Sequence, residues 1–282
     1  MTPDEELHTP TPSLAEEPSA RPVLAALVAY DGARFAGFAA QPGQLTVQGV
    51  LEDAFAVALR APVRLAVAGR TDAGVHALGQ VVSFEVPGEM PDPSVLRRSV
   101  NALIEGGVVV RDIVPARERF SARFDALSRE YRYLIANADS PPLFTADVAW
   151  RVRKRLDVDA MQAASRSLIG ENDFRSFCLS ASAEGKRTFR RLDVIEFSRE
   201  VHLGEECLVV RVVGNAFLHS MVRVIIGTLV EVGAGRRDES WVAEVLAAKT
   251  RSAAGPTAPA HGLTLWSVSY RPEVWLERAF RG

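Results

Sequence analysis

The chain has 282 residues, 48% of them hydrophobic, 24% charged and 7% aromatic, a balance that suits one large or two medium globular domains and excludes disorder throughout. Its two cysteines, Cys178 and Cys207, belong to no C-x-x-C or Cys/His cluster, which excludes a disulfide framework and a structural zinc site and implies a reducing compartment. A net charge of −2 argues against a non-specific nucleic-acid binder, but Asp4, Glu5, Glu6, Glu16 and Glu17 sit in the first twenty residues with no basic residue among them; without these, 33 basic face 30 acidic residues, a net of +3.

Residues 1–21 are acidic and proline-containing, with neither an apolar signal core nor an arginine-rich amphipathic helix, and read as a disordered tail. Residues 22–30 form a continuous apolar run ending at Asp31-Gly32, a buried strand and its turn. Over residues 46–60, Val47, Val50, Leu51, Ala54, Phe55, Ala58 and Leu59 fall on one helical face, with Thr46 as N-cap and Pro62 as the stop. Strands are expected at residues 63–69, 80–86 and 108–114. Asp92 followed by Pro93 opens a helix to about residue 104. Further strands are expected at 130–136, 189–197, 207–213 and 263–270, with helices at 157–169 and from Ala216 onward. Residues 222–235 make up the most apolar stretch, but they carry Arg223 and Glu231 and are too few to span a bilayer, so they read as a buried helix. The order suggests an α+β protein of two sandwich halves, 22–117 and 118–282, each with helices on one side of its sheet.

All but three of the basic residues are arginines. They cluster as Arg117, Arg119, Arg123, Arg129 and Arg132; as Arg151, Arg153, Lys154 and Arg155; and as Lys186, Arg187, Arg190 and Arg191. Bidentate phosphate recognition and a GC-rich coding sequence both account for this bias. Between the second and third strands lies Gly69-Arg70-Thr71-Asp72-Ala73-Gly74-Val75-His76-Ala77, which sets a carboxylate two residues from an arginine between glycines that permit a tight path. By pattern alone this is first an Asx-turn aspartate with a surface ion pair, and spacing does not separate that from a ligand-facing carboxylate.

This string resembles the catalytic motif of the TruA family of tRNA pseudouridine synthases. Ser121-Ala122-Arg123-Phe124 with Arg129-Glu130-Tyr131-Arg132-Tyr133 is similar to the family's second motif, and Asn215-Ala216-Phe217-Leu218-His219-Ser220-Met221-Val222-Arg223 to its third. Ala258-Pro259-Ala260-His261-Gly262-Leu263 is similar to a motif near the family's C-terminus. The resemblance runs from about residue 22 to 271. One departure is Asn172, in Gly170-Glu171-Asn172-Asp173-Phe174, where the family pattern has histidine.

The resemblance implies two RRM-like, ferredoxin-like halves forming the pseudouridine synthase fold, and a cytoplasmic homodimer without membrane attachment. It implies an enzyme that isomerises uridines 38, 39 and 40 of the tRNA anticodon stem-loop without cofactor or metal. Asp72 matches the nucleophile, and Arg223 is the cation expected beside it. Arg70 matches the side chain that fills the space left by a flipped base, and Tyr131 the aromatic packed on the target uracil. Tyr131 and Tyr133 share a strand face by period two, so only the motif selects between them. His76 reads as structural, and His219, one helical turn before Arg223, as packing or touching RNA. The competing reading is a non-catalytic RNA-binding or tRNA-folding module, which needs the arginines but not Asp72. A phosphate-binding metabolic enzyme is weak, because no P-loop or dinucleotide fingerprint follows a strand.

Overall fold

Strand β1 (Val23–Tyr30) alternates its side chains between two packed faces, as period two requires: Leu24, Ala26 and Val28 join the main core, while Val23 and Ala25 join a smaller cluster behind the sheet. The computed structural model describes residues 21–179, 184–185 and 187–280; residues 1–20 of the expected tail, and Lys186 of the third basic cluster, lie outside the described residues. The remaining strands are β2 (Ala66–Val67), β3 (His76–Glu85), β4 (Val108–Ala116), β5 (Ser128–Ala136), β6 (Trp150–Arg151), β7 (Gly170–Asp173), β8 (Phe189–His202), β9 (Glu205–Gly214) and β10 (Leu263–Ser269). They make one sheet in the order β4-β1-β3-β10-β5-β9-β8-β7, with β2 on β3 and β6 on β5. β10 lies parallel to β3 at His76 and Ala77 and antiparallel to β5 from Tyr133 to Ser128, so it joins strands from the two halves of the chain.

Among the described residues, five α-helices contribute to the main core on one face: α1 (Val47–Leu59), α2 (Pro93–Leu103), α3 (Val158–Ser165), α4 (Met221–Gly233) and α5 (Trp241–Ala248). Thr46, Asp92 and Asp157 cap the first three by accepting from Gly49 N–H, from Ser94 and Val95 N–H, and from Ala160 N–H. The opposite face is covered by Phe120, Ala122, Val274 and Trp275, and Arg278 pins this cover to β4 through a two-pronged contact with Asp112. Among the described residues no helix is long and apolar enough to cross a membrane.

Several expected boundaries move. Of the strand expected at 63–69, only Ala66 and Val67 stay in the ladder with β3, because side chains take the backbone groups at its ends: Leu65 N–H turns to the Glu52 carboxylate at 3.0 Å, and Ala68 O and Gly69 O accept from Arg129 and Gln80, both at 2.7 Å. β3 begins four residues earlier than expected, which draws His76 and Ala77 out of the loop and into the sheet. The β8/β9 hairpin runs longer because its tip is held by backbone pairing and an Arg199–Glu206 contact of 2.7 Å rather than by burial. Helix α4 starts at Met221, not Ala216, since Ser220 adopts the left-handed conformation (φ 58°, ψ 11°). Helix α3 ends at Ser165 and passes into a 3-10 turn. Strands β6 and β7 and helix α5 were not expected from the sequence; the two strands have only two and four residues, too few for a period.

Candidate active site

The Gly69–Val75 connection is braced from both ends. Gln80, fully buried on β3, donates to Gly69 O at 2.7 Å and to the Tyr30 hydroxyl at 3.2 Å, and that hydroxyl meets Thr71 Oγ1 at 2.8 Å. Burial pushes the Tyr30 hydroxyl up to about 12, so it serves as a neutral hydrogen-bonding post. Phe38 N–H holds Thr71 O at 3.1 Å, and Gly74 N–H reaches Gly32 O at 3.2 Å with Gly74 at φ +78°, where a side chain is strained. Asp72 thus stands on a fixed turn, its side chain 21% exposed.

Helix α4 approaches this turn from the other half of the chain. Arg223 Nη1 lies 2.9 Å from Asp72 Oδ2, and its Nε donates to Ala258 O at 2.8 Å. The helix is nearly all buried, and Gly227 lets the following segment close on it: a Cβ there would sit 1.8 Å from Pro256 O. The guanidinium is therefore held between a rigid helix and a fixed carbonyl. Ser220 Oγ donates to the same Oδ2 at 2.7 Å, and His219 Nε2 lies 3.3 Å from Oδ1 with its ring half exposed.

These groups open on a cleft of about 980 Å³ whose wall includes Tyr131, Phe217 and Arg70. Tyr131 packs edge-on against Phe217 with ring centres 5.0 Å apart, and its hydroxyl stands 3.7 Å from the place of a Gly69 Cβ. Among the described residues that hydroxyl has no hydrogen-bond partner; burial pushes its ionisation well above the ordinary tyrosine range. Tyr133, on the same strand face, is sealed in the core with its hydroxyl on Pro259 O at 2.9 Å. The cleft and the core thus separate two tyrosines that period two leaves equivalent. Arg70 is exposed at the mouth, without a hydrogen bond or ion pair among the described residues.

Beneath the cleft, Arg129 is 8% exposed and faces no carboxylate among the described residues. Its nitrogens donate to Ala68 O, Arg123 O, Ala126 O and Asn215 O at 2.6 to 3.3 Å, tying the flanks of all three motifs together. Of the three basic clusters, Arg123, Arg129 and Arg190 line the cleft, and Arg151, Arg153, Lys154 and Arg155 do not. His76 is buried on β3, where Nδ1 accepts from Gly32 N–H at 3.2 Å and burial lowers its pKa, keeping it neutral. Asn172 Nδ2 donates to Leu168 O and Ile169 O, both at 3.3 Å, and so closes its own turn. Among the described residues no group of three or more His, Cys, Asp or Glu side chains is placed to hold a metal ion.

Sequence reasoning passed over Ser220 and the bracing role of Arg129, and it left His219 aside. Nothing local marks Ser220, since serine is rare in the left-handed region. The signal for Arg129 is an arginine in a strand pattern with no acidic partner in register, which points to carbonyl acceptors.

The family model described as tRNA pseudouridine synthase matches residues 26–125 and 164–271. The chain belongs to the tRNA pseudouridine synthase family. It is 46% identical over 251 residues to "tRNA pseudouridine synthase A" of Frankia casuarinae, covering 87% of this chain and 88% of that one. Proteins of the same name from Brevibacillus brevis and Mycobacterium leprae are 44% and 43% identical, over 88% and 89% of this chain and 99% and 91% of theirs. Among solved structures, a chain of "Crystal Structure of a Cbf5-Nop10-Gar1 Complex" has a TM-score of 0.34 at 15% identity, over 73% of this chain and 44% of that one.

Proposed function

We propose that this enzyme isomerises uridine to pseudouridine at positions 38, 39 and 40 of the tRNA anticodon stem-loop, with Asp72 as nucleophile. The reaction exchanges the N1–C1′ bond of the nucleoside for a C5–C1′ bond; C5 gives up its hydrogen and N1 gains one, so nothing is oxidised or reduced. The protein must expose the base, hold one fragment while the other turns, and release the product. The observation that carries the reading is the meeting of Asp72 and Arg223 at 2.9 Å, from segments 151 residues apart, at the floor of a cleft.

Arg223 holds the carboxylate by a charge-assisted hydrogen bond. Tyr131, an uncharged aromatic wall beside it, supplies a stacking face for the uracil, worth about 1–3 kcal/mol per base. Arg70, free at the mouth, fills the stack from which the nucleotide is drawn, offsetting part of an unstacking cost of about a few kcal/mol. Arg123 and Arg190 offer phosphate contacts along the same cleft. The resemblance also supports a homodimer in the cytoplasm, for which light scattering should give twice the chain's mass.

The test is incubation of the purified protein, without added cofactor, with an unmodified tRNA transcript carrying uridines at 38, 39 and 40. Pseudouridine is mapped by carbodiimide adducts and reverse-transcription stops, beside the Asp72→Asn variant. Stops confined to that arm and absent from the variant are expected. Tight binding of several such tRNAs without modification would instead leave an RNA-binding module.

A further inference from the structure

Ser220 occupies the position before the first residue of α4, where a serine ordinarily accepts a hydrogen bond from the backbone N–H of the second or third helical residue. It makes no such bond. Its backbone takes the left-handed conformation (φ 58°), one of five non-glycine residues to do so among those described, and its hydroxyl points away from the helix to donate to Asp72 Oδ2 at 2.7 Å. Thr46, Asp92 and Asp157 cap their helices with the side chain, so this chain uses the ordinary device elsewhere. A non-glycine residue persists in the left-handed region where its surroundings over-determine it, and such residues gather at active sites.

The two donors on Oδ2 come from different elements of backbone geometry. Arg223 Nη1 reaches it from the first turn of α4, and Ser220 Oγ from the reversed turn just before that helix. One guanidinium contact leaves a carboxylate free to rotate about its Cβ–Cγ bond; a second donor on the same oxygen stops that rotation. Oδ1 is then left toward the cleft, faced among the described residues only by the half-exposed His219 ring at 3.3 Å. We propose that Ser220 is a positioning residue for Asp72: its hydroxyl, aimed by a left-handed turn, locks Oδ2 so that Oδ1 is the oxygen presented to the substrate. This rests on the reading of Asp72 as nucleophile.

Glycine is the informative replacement, since it is the residue best suited to φ 58° and it lacks the hydroxyl. If Ser220 acts through Asp72, Ser220→Gly keeps or raises Tm while kcat falls about tenfold and KM for tRNA stays within about twofold, the scale expected for one lost hydrogen bond to a charged group. Ser220→Ala, which keeps the strain, loses the same factor in kcat at a lower Tm. Ser220→Asn tolerates the left-handed region and carries an N–H donor, and it should retain kcat within about threefold. A kcat loss that follows Tm across the three variants overturns the proposal, as does a glycine variant with wild-type kcat. In either case an inactive Asp72→Asn beside an active wild type leaves the nucleophile standing, whereas a wild type that converts no uridine removes both readings.

Discussion

Of the carboxylates that short hydrogen bonds hold in this protein, Glu205 and Asp72 are built for opposite ends. Glu205, at the start of β9, accepts from Leu143 N–H (2.7 Å) and Phe144 N–H (3.1 Å) on Oε1, and from Thr145 N–H (3.0 Å) and the Thr145 hydroxyl (2.6 Å) on Oε2. Both oxygens are filled, and all four donors belong to one stretch of loop. The Thr145 hydroxyl and the loop N–H groups hold the Glu205 carboxyl down to about 2. Asp72 has both strong donors on one oxygen, from side chains far away in sequence, and its other oxygen meets a half-exposed ring at 3.3 Å beside a cleft. The number of partners therefore does not distinguish a working carboxylate from a structural one. What distinguishes it is an oxygen with lone pairs still available and a cation fixed behind the other.

The sharpest way to break this contrast is to remove the charge at each site. Asp72→Asn should lower kcat by at least about a thousandfold, the scale seen when a nucleophile is lost, with tRNA affinity in a filter-binding assay within a few fold. Glu205→Gln should leave kcat at wild type. Next in size, Arg223→Lys keeps a positive charge but not the fork that reaches both Asp72 and Ala258 O. A kcat loss of about ten- to a hundredfold is expected, since the two residues are not interchangeable at a fixed geometry; wild-type turnover would mean that charge alone suffices. Tyr131 sharpens the picture of the cleft around the free oxygen. Tyr131→Ala should reduce kcat/KM by about five- to a hundredfold, as stacking on a base allows, while Tyr131→Phe stays near wild type because the hydroxyl has no partner among the described residues. The smallest effect is on stability. Glu205 has a folded pKa well under its ordinary 4.5, so its contribution is fully present above about pH 4.5 and is lost as pH falls towards 2. Thermal melts of Glu205→Gln should therefore lie below wild type at pH 7 and converge with it in acid.

Much of the scaffold could be read from local chemistry. Thr46, Asp92 and Asp157 announce their helices through side chains that do accept from the first-turn amides, and the apolar run of β1 is buried along most of its length. Local signals fail where long-range pairing decides. The strand expected at 63–69 shrinks to two residues because side chains from Glu52, Gln80 and Arg129, the last more than sixty residues away, take the backbone groups at its two ends. Helix α4 starts late because Ser220 answers to Asp72 rather than to the helix it precedes. The motifs named Asp72, Tyr131, Arg70 and Arg223, but residue spacing alone contained neither the contact between Asp72 and Arg223 nor the separation of Tyr131 from Tyr133. Those depend on a sheet that closes only in three dimensions.

β10 has a consequence for how the molecule is made. It is drawn from residues 263–269, yet it sits in the middle of the sheet, between β3 and β5. A ribosome delivers those residues after both neighbours, so the nascent chain holds two half-sheets with unpaired inner edges, the kind that invite pairing with other chains. Until that strand slots in, no strand pairing joins β3, which follows the turn bearing Asp72, to β5, which bears Tyr131. The growing polypeptide is thus expected to turn over no RNA until its synthesis is nearly over, and a chain stopped before residue 263 is expected to self-associate and to lack turnover.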